Sequence, residues 1–213
     1  MKYTIKRTRR KTIQIKMLSH NECEISCPLY CSRETLNDFI SKAQSWIHKT
    51  SNKLLVQENK YSEIINRSKA LIFGREYTVY YNQEKNYIDN DNMQLILKDD
   101  SLKSFLSKMA KSVLNKRILL LSKQMNVQFN SIRISSAKKR WGSCSARKNI
   151  NLNWRIICLP EHLQDYILIH ELSHIKELNH SMDFWNYVGK FCPNFKECRK
   201  ELGDKFSFIL KLE

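Results

Sequence analysis

Three of the six histidines in this 213-residue chain fall within one eleven-residue run, His170-Glu171-Leu172-Ser173-His174-Ile175-Lys176-Glu177-Leu178-Asn179-His180. If 170–178 is helical, His170 and His174 project from one face, one turn apart, near enough to share a metal ion. Glu171 stands one step round, where its carboxylate reaches a water on the metal instead of the metal itself. That division of labour belongs to an H-E-x-x-H zinc hydrolase. A third ligand is still required. His180 lies six residues beyond His174, too far for the same helix face, so the spacing predicts that the helix ends and the chain turns back at Asn179.

The motif needs elements to hold it. Leu168, Leu172 and Ile175 recur at i, i+4 and i+7, which predicts an amphipathic helix with its back in a core. Pro160 suits its first position, and Glu161 and Asp165 are acids near its positive end. Residues 149–158 alternate: Ile150, Leu152, Trp154, Ile156 and Cys158 on one side, Asn149, Asn151, Asn153 and Arg155 on the other. This predicts a half-buried strand running into the helix, with Asn151, Asn153 and Arg155 as candidate lining of a substrate cleft and an edge to which an extended peptide can pair. Another strand is expected over 131–135, and Lys138 to Cys144 reads as a basic turn. Downstream, Ser181 caps a helix with apolar Phe184, Trp185, Val188 and Phe191. Phe184 and Trp185 are expected in the core. Asp183 is either a carboxylate that orients a ligand histidine or a helix-start acid. Pro193 breaks the pattern, and a further helix through Phe195, Cys198 and Leu202 is expected to end at Gly203. Arg140, Arg155 and Tyr187 are the conceivable donors to an oxyanion, and no one of them is assigned.

Residues 1–98 read as a β-rich region with one helix, and 99–213 as the catalytic domain, so the fold class is α+β. Strands are expected over 3–7, 12–17 and 24–26, then over 71–81 and 93–97, with Gly74 at a bend and a turn at 90–92. Between them a helix over 33–48 is capped by Ser32, followed by a polar stretch over 51–68. Asp99, Asp100 and Ser101 offer caps for a long helix from Leu102 to about Met125.

Charge is distributed unevenly. The chain carries a formal +16, yet segment 101–160 holds thirteen Lys and Arg and no Asp or Glu. A nucleic acid is the candidate partner for that segment, with Lys138, Lys139 and Arg140 the candidate contacts; the alternative is a solvated basic surface. Seven scattered cysteines suit reduced thiols in a cytoplasm. Cys23, Cys27 and Cys31 recur every four residues, but with no C-x-x-C pair and with Pro28 between them they are read as thiols and not as a second metal site. The longest aliphatic run, 118–121, predicts no membrane span, and the N-terminus shows no secretory signal.

Arg140-Trp141-Gly142-Ser143-Cys144, the stretch Asn151-Leu152-Asn153-Trp154-Arg155, His170-Glu171-Leu172-Ser173-His174, and Asn179-His180 followed by Phe184-Trp185 together resemble the YgjP-like family of predicted metal-dependent hydrolases, which is similar in its core to zincin metallopeptidases, including SprT-type enzymes associated with DNA. The resemblance implies a zincin-like metallopeptidase core, Zn2+ on His170, His174 and His180, and Glu171 as general base and acid. It departs from metzincins at Glu177, which stands where they have glycine. The expected activity is zinc-dependent peptide-bond hydrolysis. The alternatives are hydrolysis of a non-peptide amide or ester, and a nucleic-acid-associated protein acting through its basic segment.

Overall fold

The computed structural model of the chain describes residues 1–99 and 101–212; Asp100, expected among the helix caps, lies outside them. The chain divides into two compact units, Met1–Ser62 and Glu63–Glu213.

The first unit is a three-stranded sheet and one helix. Strands β1 (Lys2–Thr8), β2 (Gln14–Ser19) and β3 (Glu22–Pro28) take the order β1-β3-β2, with β1 parallel and β2 antiparallel to β3. Alternate residues of β3, Cys23, Ile25 and Cys27, are fully buried and join Leu36 in the core. All seven cysteines are free. Helix α1 (Arg33–Lys60) starts where expected, with Ser32 Oγ accepting from Thr35 N at 3.0 Å, but it runs on through the polar stretch that follows His48. The hairpin turn at His20 explains the extension: its backbone N donates to Glu58 Oε1 at 3.2 Å, its ring bonds the other carboxylate oxygen, and the Ser51 hydroxyl donates to its carbonyl.

After the single turn α2 (Ser62–Ile65), the second unit builds β4 (Lys69–Ile72), β5 (Arg75–Tyr80), β6 (Tyr87–Asp89) and β7 (Gln94–Ile96) into a sheet of order β4-β5-β7-β6. Compactness therefore groups this sheet with the metal-site region, whereas the sequence reading placed it in 1–98. The long helix α3 (Leu102–Gln124) follows as expected, although Ser101 makes no side-chain cap bond. Then come β8 (Ser131–Ser135), β9 (Gly142–Cys144) and β10 (Asn149–Asn153), ordered β8-β10-β9. β10 is parallel to β8 and antiparallel to β9, so both of its edges are paired. It offers no edge to a peptide, contrary to expectation.

The expected strand over 149–158 also stops early. At Asn153 the side-chain oxygen accepts from Arg155 N at 3.1 Å and turns the chain into a 3-10 helix, Trp154–Cys158, whose residues are all buried. Helix α4 (Glu161–Ser173) begins after Pro160 and carries the motif. The β4–β5 turn fixes its start: Phe73 N and Gly74 N donate to Ile157 O and Cys158 O at 2.9 and 3.1 Å. Gly74 has φ +76°, and a Cβ there would lie 2.6 Å from Pro160 Cγ, so both its conformation and its contact call for glycine. Arg117 of α3 grips Asp165 with two bonds, 2.6 and 2.5 Å. Leu163, Ile167, Leu168, Ile169 and Leu172 are all buried, so α4 is packed on most of its circumference and is not a surface helix with one apolar face.

Helices α5 (Met182–Phe191) and α6 (Phe195–Lys205) and a last 3-10 turn (Ser207–Lys211) complete the unit. α6 runs through Gly203, where the sequence suggested its end, and His162 of α4 bonds Glu201 of α6 at 2.9 Å. The architecture is α+β. Among the described residues no helix is long and apolar enough to cross a membrane.

Candidate metal centre

Helix α4 ends sooner than the histidine spacing suggests. Ser173 is its last residue and His174 its C-cap. Ile175 N and Lys176 N donate three residues back, to Leu172 O and Ser173 O, so the end tightens into a 3-10 turn. This turn brings the Glu177 carbonyl to His174 Nδ1 at 3.0 Å. A carbonyl only accepts, so Nδ1 carries the proton and Nε2 presents a lone pair. The chain then doubles back, as expected, and returns His180 to the helix.

The three histidines converge. One nitrogen from each of His170, His174 and His180 lies within 4.8 Å of the others, the group among the described residues with metal-ligand geometry. Nε2 of His180 and Nε2 of His170 are 3.1 Å apart. Two ligands about 2.0–2.1 Å from one tetrahedral ion sit about 3.4 Å apart, so the spacing fits a shared ion. Burial, with the neighbouring imidazoles and Arg199 adding to it, pulls His170 down to about 3. Burial also lowers His174. Both rings are thus neutral near pH 7, the form that binds metal.

Aromatic side chains of α5 hold these rings. Ser181 caps the helix as expected, its hydroxyl accepting from Phe184 N at 3.3 Å. The Phe184 ring, fully buried, lies 4.9, 4.5 and 4.8 Å from the rings of His170, His174 and His180. Trp185 is half-buried instead of in the core. It stacks on His180 at 5.6 Å and on Phe195 at 5.2 Å, with the Arg199 guanidinium 5.3 Å from its ring. Phe184 is in the core as expected, whereas Trp185 read as a core residue because apolar spacing does not distinguish a core from an aromatic cradle. Asp183 is exposed in the first turn of α5, where an acid complements the helix dipole.

Glu171 is 5% exposed. Burial pushes its carboxyl up to about 8, against the charge of Arg140, which lowers it. Its Oε2 has no partner. A buried oxygen of this kind is costly unless water or an ion-bound water satisfies it, and here it stands beside three converging imidazoles. The residues present therefore fit a zinc ion. Glu171 borders a cavity of ≈ 280 Å³, with Tyr166 and His170 on its own helix and Arg140, Trp141 and Gly142 opposite. A Cβ on Gly142 would lie 2.6 Å from Glu171 Oε1. In the sequence Gly142 was legible as a glycine in a basic turn and as part of the Arg140–Cys144 stretch that carries the family resemblance, with no sign of its contact with Glu171.

The other candidates separate. Asn153 and Arg155 are 0% and 1% exposed and line no cleft. Asn153 Nδ2 donates to Ala137 O at 2.6 Å and Arg140 O at 3.0 Å, while Arg155 donates Nε to Leu212 O at 2.9 Å and Nη2 to the same carbonyl. Both are buried fasteners, unavailable to a substrate. Asn151 is half-buried and donates to Ser143 Oγ at 3.4 Å. Of the three conceivable oxyanion donors, Arg155 is thus committed, and Tyr187 donates its hydroxyl to Met125 O at 2.9 Å. Arg140 alone of the three borders the cavity. Lys138, Lys139 and Arg140 lie exposed in the irregular connection between β8 and β9.

The sequence profile of the YgjP-like metallopeptidase domain matches residues 11–205. Among solved structures, the metallopeptidase zymogen of Pyrococcus abyssi abylysin is similar at 28% identity, over 44% of this chain and 94% of that one, with a TM-score of 0.41. No curated protein matches the chain.

Proposed function

Because the chain belongs to the YgjP-like metallopeptidase family, we propose that it is a zinc-dependent peptidase in which His170, His174 and His180 hold the ion and Glu171 moves the proton. The observation that carries this reading is the convergence of three imidazole nitrogens within 4.8 Å beside a buried, unpartnered carboxylate oxygen. Zinc on three neutral imidazoles supplies Lewis acidity towards a carbonyl and lowers the pKa of a water to about 7.

The chain's own residues supply the rest. Glu171 Oε2 accepts a proton from the attacking water and delivers it to the amide nitrogen as the C–N bond breaks. Burial raises its pKa, and Arg140 across the cavity favours its charged form. The Glu177 carbonyl keeps His174 in the tautomer that offers Nε2. Edge strand β9 lies beside α4, and an extended peptide paired there would pass Glu171.

The test compares zinc-loaded parent with Glu171→Gln on unstructured protein and peptide panels, with small amides and esters alongside. The variant is expected to keep its zinc and lose turnover by about 10²-fold or more. Unchanged turnover removes Glu171 from its role, and turnover confined to the small amides or esters overturns the peptidase assignment.

A further inference from the structure

Glycine is required at a position either because the backbone takes a left-handed conformation or because nothing larger fits. Gly74 meets both conditions, but Gly142 has no left-handed φ, so space alone excludes a side chain there. The space is occupied by Glu171. A Cβ at position 142 would lie 2.6 Å from Oε1, 2.7 Å from Cγ and 2.8 Å from Cδ of that residue, all inside van der Waals contact.

Neither backbone is free to retreat. Gly142 pairs with Leu152 of β10, Asn153 N donates to Trp141 O at 2.8 Å, and the Asn153 side chain holds the Arg140 and Ala137 carbonyls just upstream. On the other side, Leu168 and Leu172 are fully buried and fix α4. The atoms able to yield are those at the end of the Glu171 side chain. A methyl group at 142 therefore moves the carboxylate and leaves the fold in place.

We propose that Gly142 is the positioning residue for Glu171: the bare backbone at the start of β9, clamped by Asn153, sets where the carboxylate stands in the cavity. The inference rests on Glu171 being the proton carrier, and it adds that residue 142 decides the carrier's position.

The experiment substitutes Gly142→Ala in the zinc-loaded full chain. Zinc content is expected to equal that of the parent, with kcat lowered about 100-fold and KM little changed, as for a displacement of about 1 Å. In the Glu171→Asp background, whose carboxylate stops one methylene short, adding Gly142→Ala is expected to change kcat less than about 3-fold, because the two sites are coupled. A crystal structure of the Gly142→Ala variant should show the carboxylate displaced, and this readout needs no turnover. A parent without peptidase activity would thus undo the functional reading while the displacement still decides the positioning role. Equal losses in both backgrounds, loss of zinc in parallel with activity, or a carboxylate in its original place would each overturn the proposal. Should Gly142→Ala not fold, the same substitution beside Glu171→Ala is expected to fold with Tm within about 2 °C of that single variant. Failure to fold there as well would also overturn it.

Discussion

Substituting Asn153→Ala should unfold the second unit more easily. The buried amide donates to two carbonyls and accepts from Arg155 N and, at 3.3 Å, from Arg155 Nη1. Arg155 N is buried, so losing its acceptor costs about 1–3 kcal/mol. The Ala137 and Arg140 carbonyls lie in a connection open to water and can rehydrate, so each lost bond there costs about 0.5–1.5 kcal/mol. A total near 4 kcal/mol is a large part of a stability of about 5–15 kcal/mol, and in a unit of this size it lowers Tm by about 8–16 °C. Thermal melts followed by circular dichroism, with urea titration as a check that the m-value is unchanged, measure this. Asn151→Ala, which removes a single long bond to Ser143, is the control and should shift Tm by no more than about 2 °C. If Asn153→Ala melts with the parent and instead raises KM, Asn153 faces substrate and the reasoning is refuted.

Phe184→Leu keeps an apolar side chain in the core but removes the ring packed on all three imidazoles. We expect a folded protein whose zinc affinity, measured by competition with a chelator, falls about 10–100-fold; unchanged affinity would show that the histidines hold themselves. Cys144 has its thiol pushed up to about 11, first by burial and then by the charge of Glu171. A raised thiol pKa means less thiolate at a given pH, so iodoacetamide should label Cys144 about 100-fold more slowly than a free cysteine at pH 8, with the rate still rising towards pH 11. Labelling by mass spectrometry as fast as a small thiol would contradict this.

What could be read from sequence was what is encoded locally. The four-residue spacing of His170 and His174, the periodic apolar face of α3 and the Ser32 and Ser181 caps each depend on residues within a turn or two of one another. The alternation over 149–158 misled because period two continues past Asn153, while the strand is ended by a side-chain bond that no hydrophobic pattern registers. Arg155 looked outward-facing because its acceptor, the Leu212 carbonyl, lies 57 residues away. Gly142 gains its meaning from Glu171 in another element, and the length of α1 from a hairpin turn that bonds back to Glu58. Apart from the Asn153 bond, which is local, each of these misses is a tertiary contact overriding a local signal.

The central claim, a zinc ion on His170, His174 and His180, is tested most directly by elemental metal content per chain, measured on the purified parent and on His180→Ala. The account predicts about one zinc in the parent and a large loss in the variant, with the fold retained. A parent that takes up no metal when zinc is offered, or a variant that binds it as well as the parent, would contradict it.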